Sequence, residues 1–272
     1  KADRAEVTML LDNGVDLHSY QPTADDIIKI SDCDLFVYVG GESDGWVEDA
    51  LKEATNKDMR VINLLDVLGE QVKEEEVVEG MEAEEEESED EDEPEYDEHV
   101  WLSLKNAETL CNAITDALEE IDPTNKDAYA ANAASYLEKL AALDGEYQTM
   151  VDNAARKTVL FGDRFPFRYL VDDYGLSYYA AFAGCSAETE ASFETIFFLA
   201  GKVDELGLPC VLTIEDAQHK IAETIVQNSA AKNQSILTLD SMQSTTSADA
   251  ANGTTYLSVM ESNLDVLKQA LN

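Results

Sequence analysis

Leu35-Phe36-Val37-Tyr38-Val39-Gly40-Gly41 is an unbroken apolar run that stops abruptly at two glycines. A strand that can bury both faces belongs in a parallel sheet with helices on either side. Upstream, Pro22-Thr23 leads into a helix with Thr23 as N-cap, and Asp25 and Asp26 fall in its first turn, where the helix dipole favours them. Residues 5–11 read as an earlier strand, closed by the turn Asp12-Asn13-Gly14. Downstream, residues 46–55 suit a helix and Val61–Leu64 a further short strand. This alternation predicts α/β layering.

The second half repeats the alternation. Strands are expected at Thr158–Phe161 (ending at Gly162-Asp163), Ser177–Phe182, Cys210–Ile214 and Ser235–Leu239. Helices are expected at 167–173 (stopped by Gly175), 191–206, 218–228 and 254–271. Between the halves, residues 105–121 form a helix ending near Asp122-Pro123. One long pattern then runs over 124–156, with Thr124 as cap. Tyr129, Ala133, Tyr136, Leu137, Leu140, Leu143, Tyr147 and Val151 mark its apolar stripe, which reads as core packing. The expected fold class is therefore α/β, with two lobes of parallel sheet flanked by helices and one long rigid helix joining them. The boundaries are 1–122, 123–156 and 157–272.

Charge narrows the choice of partner. Eighteen basic and 58 acidic residues leave a formal charge of −40, and 17 of the acids lie between Glu74 and Glu98. Such a surface repels phosphate backbones and anionic bilayers, so nucleic acid is excluded and cations are the natural ligands. The insert 73–98 has too little apolar area to offset the entropy of ordering it, and most of it is expected to be a mobile loop. No apolar run approaches the length of a membrane helix.

The chain contains only three histidines. His18 follows the first strand-like run, and His99 stands where the acidic run gives way to Val100-Trp101-Leu102. Neutral imidazole is the commonest metal ligand, which makes these two candidates. Glu215 and Asp240 stand at the carboxyl ends of two predicted strands, where open parallel sheets bind ligands. His219, one turn into the following helix, reads as a rim residue. Cysteines 33, 111, 185 and 210 show no CxxC spacing, which argues against a thiolate zinc site. Cys185 and Cys210 are expected as free, mostly buried thiols at opposite ends of their sheet.

Several ordered segments resemble the extracytoplasmic zinc and manganese receptors of bacterial ABC importers, the ZnuA/AdcA/TroA-like group. They are Gly14-Val-Asp-Leu-His18-Ser-Tyr-Gln-Pro22, Ser31-Asp-Cys-Asp34-Leu-Phe-Val-Tyr-Val-Gly40, Asp97-Glu-His99-Val-Trp101-Leu102, Phe167-Arg-Tyr169-Leu, Tyr174-Gly-Leu176, Leu239-Asp240-Ser241 and Tyr256 through Leu264. The resemblance implies one metal ion between two lobes, with His18 and His99 as ligands from the first and Asp240 from the second. It also implies a monomeric, non-enzymatic, lipid-anchored receptor outside the cytoplasm, delivering its ion to a membrane permease. Zinc is expected over manganese, because a nitrogen-containing site binds zinc more tightly.

Three departures from the family pattern stand out. The family's third ligand falls on Arg164, and a guanidinium cannot ligate metal. Either the site has fewer protein ligands, or Asp163 or Glu215 supplies an oxygen; the structural alternative for Arg164 is an ion pair with Glu215 or Asp240. The insert before the second histidine is acidic where zinc receptors often carry histidines. Finally, the family pattern places a first strand and helix before Lys1. Competing readings are a metal-sequestering or adhesin-like surface protein and, without an HExxH or nucleophile elbow to support it, a metallohydrolase.

Overall fold

The computed structural model describes residues 5–12, 17–82, 95–186, 190–215 and 218–272. Two parallel sheets organise it. In the first, β1 (Leu35–Tyr38) pairs with β2 (Arg60–Asn63), Leu35 opposite Arg60 and Tyr38 opposite Asn63. Helix α1 (Ala24–Asp32) precedes β1, α2 (Val47–Lys52) lies between the strands, and α3 (Leu64–Leu68) follows β2 directly. Thr23 is the N-cap of α1: its hydroxyl accepts from Asp26 N, and the Asp26 carboxylate accepts from Thr23 N in return, completing a capping box.

The second sheet has strand order β4-β3-β5-β6, all parallel, formed by β3 (Thr158–Phe165), β4 (Ser177–Ala183), β5 (Cys210–Thr213) and β6 (Ser235–Thr238). The chain winds from β3 to β4 on one side, then crosses to β5 and β6 on the other. Beyond the carboxyl ends at that reversal lies the usual ligand crevice of such sheets. Helices α6 (Arg168–Tyr174), α7 (Phe193–Leu206) and α8 (Lys220–Asn228) connect the strands; α9 (Ser247–Ala251) and α10 (Tyr256–Ala270) close the chain.

Two long helices lie between the sheets in sequence and pack against each other. Ser103 caps α4 (Leu104–Ile121). Helix α5 (Lys126–Asn153) is about 42 Å long at 1.5 Å per residue. Tyr129, Leu140, Leu143, Tyr147 and Val151 of the predicted stripe are buried along α5, and the Tyr147 hydroxyl donates to Met260 O at 2.6 Å. The core of the second lobe gathers α5, α10 and the sheet around Phe161, Phe165, Phe167, Leu212 and Leu264. A separate cluster of Leu65, Leu68, Val100, Leu110 and Tyr169 packs first-lobe residues against α6. No described helix is long and apolar enough to cross a membrane.

Several expectations need correction. Residues 5–11 form no strand. Val7 and Thr8 are exposed, and Leu10 packs against the core around Ile30 and Phe36 without joining a ladder. β3 continues past Gly162-Asp163 to Phe165, with a register shift between Phe161 and Arg164. Thr124 lies in a short 3-10 turn, and Asn125 precedes α5 in its place. The ends of the acidic insert are held down, because paired backbone bonds satisfy its peptide groups: Glu74 bridges Tyr96 in antiparallel fashion and Glu82 bridges Phe182 in parallel. The middle of the insert, 83–94, lies outside the described residues. All four cysteines are free; Cys210 is buried, while Cys185 is only half-buried.

Candidate metal centre

His18 sits in a one-turn 3-10 helix, Leu17–Ser19, and His99 immediately precedes another, Val100–Leu102. Their Nε2 atoms are 3.1 Å apart although 81 residues separate them. His99 is fully buried.

Each ring is held at its other nitrogen, His99 by a carboxylate and His18 by a hydroxyl with a carboxylate beside it. Asp97 Oδ1 lies 2.9 Å from His99 Nδ1 and also accepts the His99 backbone N–H at 2.8 Å. An ionised carboxylate only accepts, so the His99 ring proton belongs on Nδ1. His18 Nδ1 faces Ser43 Oγ at 2.8 Å and the Glu98 carboxylate at 3.3 Å. Burial pushes the Glu98 carboxyl up, but bonds from His18 and Ser43 outweigh it and hold it below its ordinary value. That negative charge favours the proton on His18 Nδ1. Gly41 permits this arrangement: its φ is +83°, and a Cβ there would stand 2.3 Å from Glu98 Oε1.

With both Nδ1 atoms protonated, the two Nε2 lone pairs point at each other. At 3.1 Å they repel unless a cation stands between them, either a shared proton or a metal ion bound by both. An ion about 2.0–2.1 Å from each nitrogen would subtend an N–metal–N angle of roughly 100°, close to tetrahedral. Burial opposes charge on His99, but Asp97 outweighs it, so the net direction is upward. Backing of each imidazole by a hydrogen-bonded acceptor is the usual outer shell of a metal site.

The second lobe contributes through its strand ends. Among the described residues, one group of ligand-type side chains has its atoms within 4.8 Å of one another: His18, His99 and Cys185. Glu215 and Asp240 stand outside that group. Both Glu215 oxygens are engaged, Oε2 by Ser241 N at 2.6 Å and Oε1 by Ser241 Oγ at 2.6 Å and Gln243 N at 3.0 Å. Asp240 Oδ1 accepts from Met242 N at 2.7 Å, and its backbone is clamped in both directions by the Asn263 side chain. Asp163 is turned to its own strand and its neighbour, accepting from Arg164 N and Ile214 N. Arg164 lies near enough to His99 to oppose a positive charge there. His219 adopts a left-handed φ of 57° before α8; it is half-buried, and its Nδ1 has no hydrogen-bond partner among the described residues.

Cys185 is the residue the sequence reading passed over. It follows the carboxyl end of β4, the same kind of position that marked Glu215 and Asp240. In the ion-free protein, burial, followed by the charges of Glu75 and Asp97, pushes its thiol far up.

Residues 1–270 match the profile of the family described as ZnuA, zinc-uptake complex component A, periplasmic. The chain belongs to the ZnuA family. It is 33 % identical over 268 residues to the zinc-binding lipoprotein AdcA of Streptococcus pneumoniae serotype 4 (strain ATCC BAA-334 / TIGR4), covering 98 % of this chain and 52 % of that protein. It therefore spans about half the length of that relative. The high-affinity zinc uptake system protein ZnuA of Bacillus subtilis (strain 168) is 32 % identical over 272 residues, covering 99 % of this chain and 82 % of its own length. The solved Zn(II)-bound ZnuA-like domain of Streptococcus pneumoniae AdcA superposes with a TM-score of 0.75 at 30 % identity, covering 99 % of this chain and 92 % of that one. Two lobes and a connecting helix are thus the ZnuA-type architecture.

Proposed function

We propose that this ZnuA-family chain is a receptor that binds one zinc ion between its lobes outside the cytoplasm and delivers it to an ABC permease. The lobes are residues 1–122 and 157–272, with 123–156 as the linking helix. His18 and His99 are ligands, and Asp240 is the carboxylate that closes on the ion from the second lobe. Glu215, expected as a ligand, acts by holding Ser241 and Gln243 in place. The observation that carries this reading is the approach of the two Nε2 atoms to 3.1 Å across 81 residues, with Asp97 against the other nitrogen of His99 and Ser43 and Glu98 against that of His18.

Imidazole ligands favour zinc over manganese. The names of the relatives, a zinc-binding lipoprotein and a zinc uptake protein, support the same cargo, lipid anchoring and a partner in uptake. Two surface clefts, one beside Ile27 and Glu53 and the other beside Ala142 and Lys268, are not lined by either imidazole. A hydrolase reading gains no support from them.

Competition titration of the wild type, His18→Ala and His99→Ala with zinc tests the proposal. Each substitution is expected to weaken binding by about a hundredfold or more, since one ligand and its fixed orientation are lost together. Unchanged affinity in both variants would refute it.

A further inference from the structure

We propose that the Cys185 thiolate is a ligand of the bound ion, making the site His-His-Cys with Asp240 or water in the fourth place. This rests on reading His18 and His99 as ligands and extends it to the position for which Arg164 is unfit.

Four observations converge. The Cys185 Sγ and one ring nitrogen from each histidine lie within 4.8 Å of one another. A zinc ion holds sulfur at about 2.3 Å and nitrogen at about 2.0–2.1 Å, so a side-chain adjustment of about an ångström closes the set. The backbone before Cys185 is built for close approach. Gly184 lies so near His99 that a Cβ would stand 3.0 Å from its Cε1 and 2.9 Å from Phe165 O. The cysteine is also anchored, because its N–H donates to Glu75 Oε1 at 3.0 Å, and Glu75 belongs to the base of the acidic insert, where its own N–H donates to Glu95 O at 2.9 Å. Finally, Gln243, only 6 % exposed, has its side chain within hydrogen-bonding reach of the His99 ring, which is thus held from a second side.

Binding exchanges protons for metal. The divalent ion forms one bond to Sγ, and the thiol proton leaves to solvent, as does any proton shared between the imidazoles. A coordinated thiol is deprotonated by the ion itself, so the raised thiol in the ion-free protein is no obstacle. Thiolate is a soft ligand, and a site of two imidazoles and one sulfur discriminates against manganese more strongly than imidazoles and carboxylates alone.

Cobalt(II) in place of zinc gives the direct test, because cobalt–thiolate bonds have a near-ultraviolet charge-transfer band that imidazole and carboxylate ligands lack. The wild type is expected to bind one equivalent with that band. Cys185→Ser should still bind cobalt through the histidines but without the band, and its zinc affinity should fall at least tenfold. A second measurement uses unaltered protein: iodoacetamide labelling mapped by mass spectrometry, with Cys33, Cys111 and Cys210 as internal references. Zinc should protect Cys185 and leave the others unchanged. One-equivalent binding without the band, a band that survives Cys185→Ser, or labelling of Cys185 unaffected by zinc would overturn thiolate ligation and leave the receptor reading intact. Failure of the wild type to bind either metal would overturn both.

Discussion

The indole Nε1 of Trp101 donates to the carbonyl oxygen of Ser241 at 2.9 Å, joining the segment that carries His99 to the loop that carries Asp240. The Tyr256 hydroxyl donates to Trp101 O at 2.8 Å, so Trp101 is fixed at both its side chain and its backbone. Trp101→Phe keeps most of the apolar contact but leaves the Ser241 carbonyl without its donor. Stability is expected to drop by about 1 kcal/mol. Zinc affinity should drop about tenfold through faster release, because the second-lobe loop is no longer registered against His99. Stopped-flow chelator competition reads the release rate, and an unaltered rate would show that the lobes meet without this tie.

Asp97 determines which nitrogen of His99 is free. Asparagine at this position can offer an N–H to Nδ1, which would move the ring proton to Nε2 and remove the lone pair that faces His18. Asp97→Asn is therefore expected to cost about 10- to 100-fold in zinc affinity while leaving both imidazoles present. Isothermal titration would reveal the loss, and affinity within twofold of wild type would show that the tautomer is set elsewhere.

How much of this was legible beforehand depends on the kind of signal. His18 and His99 could be picked out because histidine is rare here and both stand at the ends of apolar runs; their approach to 3.1 Å across 81 residues is a tertiary fact that no local pattern contains. Cys185 was passed over because cysteine was sought in CxxC pairs, although the strand-end rule that selected Glu215 and Asp240 applied to it equally. Glu215 satisfied that rule, yet its oxygens are taken by Ser241 and Gln243, a distinction made by hydrogen bonds between loops. Residues 5–11 have the composition of a strand, but a strand needs a neighbour, and these residues pair with none among those described. The α5 stripe was readable because helical packing repeats every three or four residues along the chain itself.

The α1 capping box yields a pH prediction. Burial of the Asp26 carboxyl works against its ionisation, but bonds from the Thr23 hydroxyl and backbone, Lys29 and Tyr20 outweigh it and hold its pKa at about 2, against an ordinary 3.8. A group depressed on folding stabilises the protein above its unfolded value, and that contribution disappears as pH falls through the folded one. Asp26→Asn is expected to lose about 1–2 kcal/mol at neutral pH. The gap to wild type should begin to narrow below pH 3.8 and close near about pH 2. Urea denaturation across that range checks the sign; a gap that widened on acidification would contradict it.

Gly184 and Gly175 separate a packing demand from a backbone one. Gly175 ends α6 at φ +64° with nothing within 4 Å of a hypothetical Cβ. Gly175→Ala should therefore cost about 1 kcal/mol of stability through the left-handed backbone alone and leave zinc affinity unchanged. Gly184 has no such φ, but its Cβ would press on the carbonyl oxygen of Phe165 and on the His99 ring. Backbone on one side and a fully buried ring on the other leave little room to give. Gly184→Ala is expected to lose about 1–3 kcal/mol of stability by overpacking. Because the displaced group is an imidazole aimed at His18, zinc affinity should fall at least tenfold as well. Denaturant titration and zinc competition on the two variants decide the matter: equal effects on affinity would mean that the contact between Gly184 and His99 does not position the site.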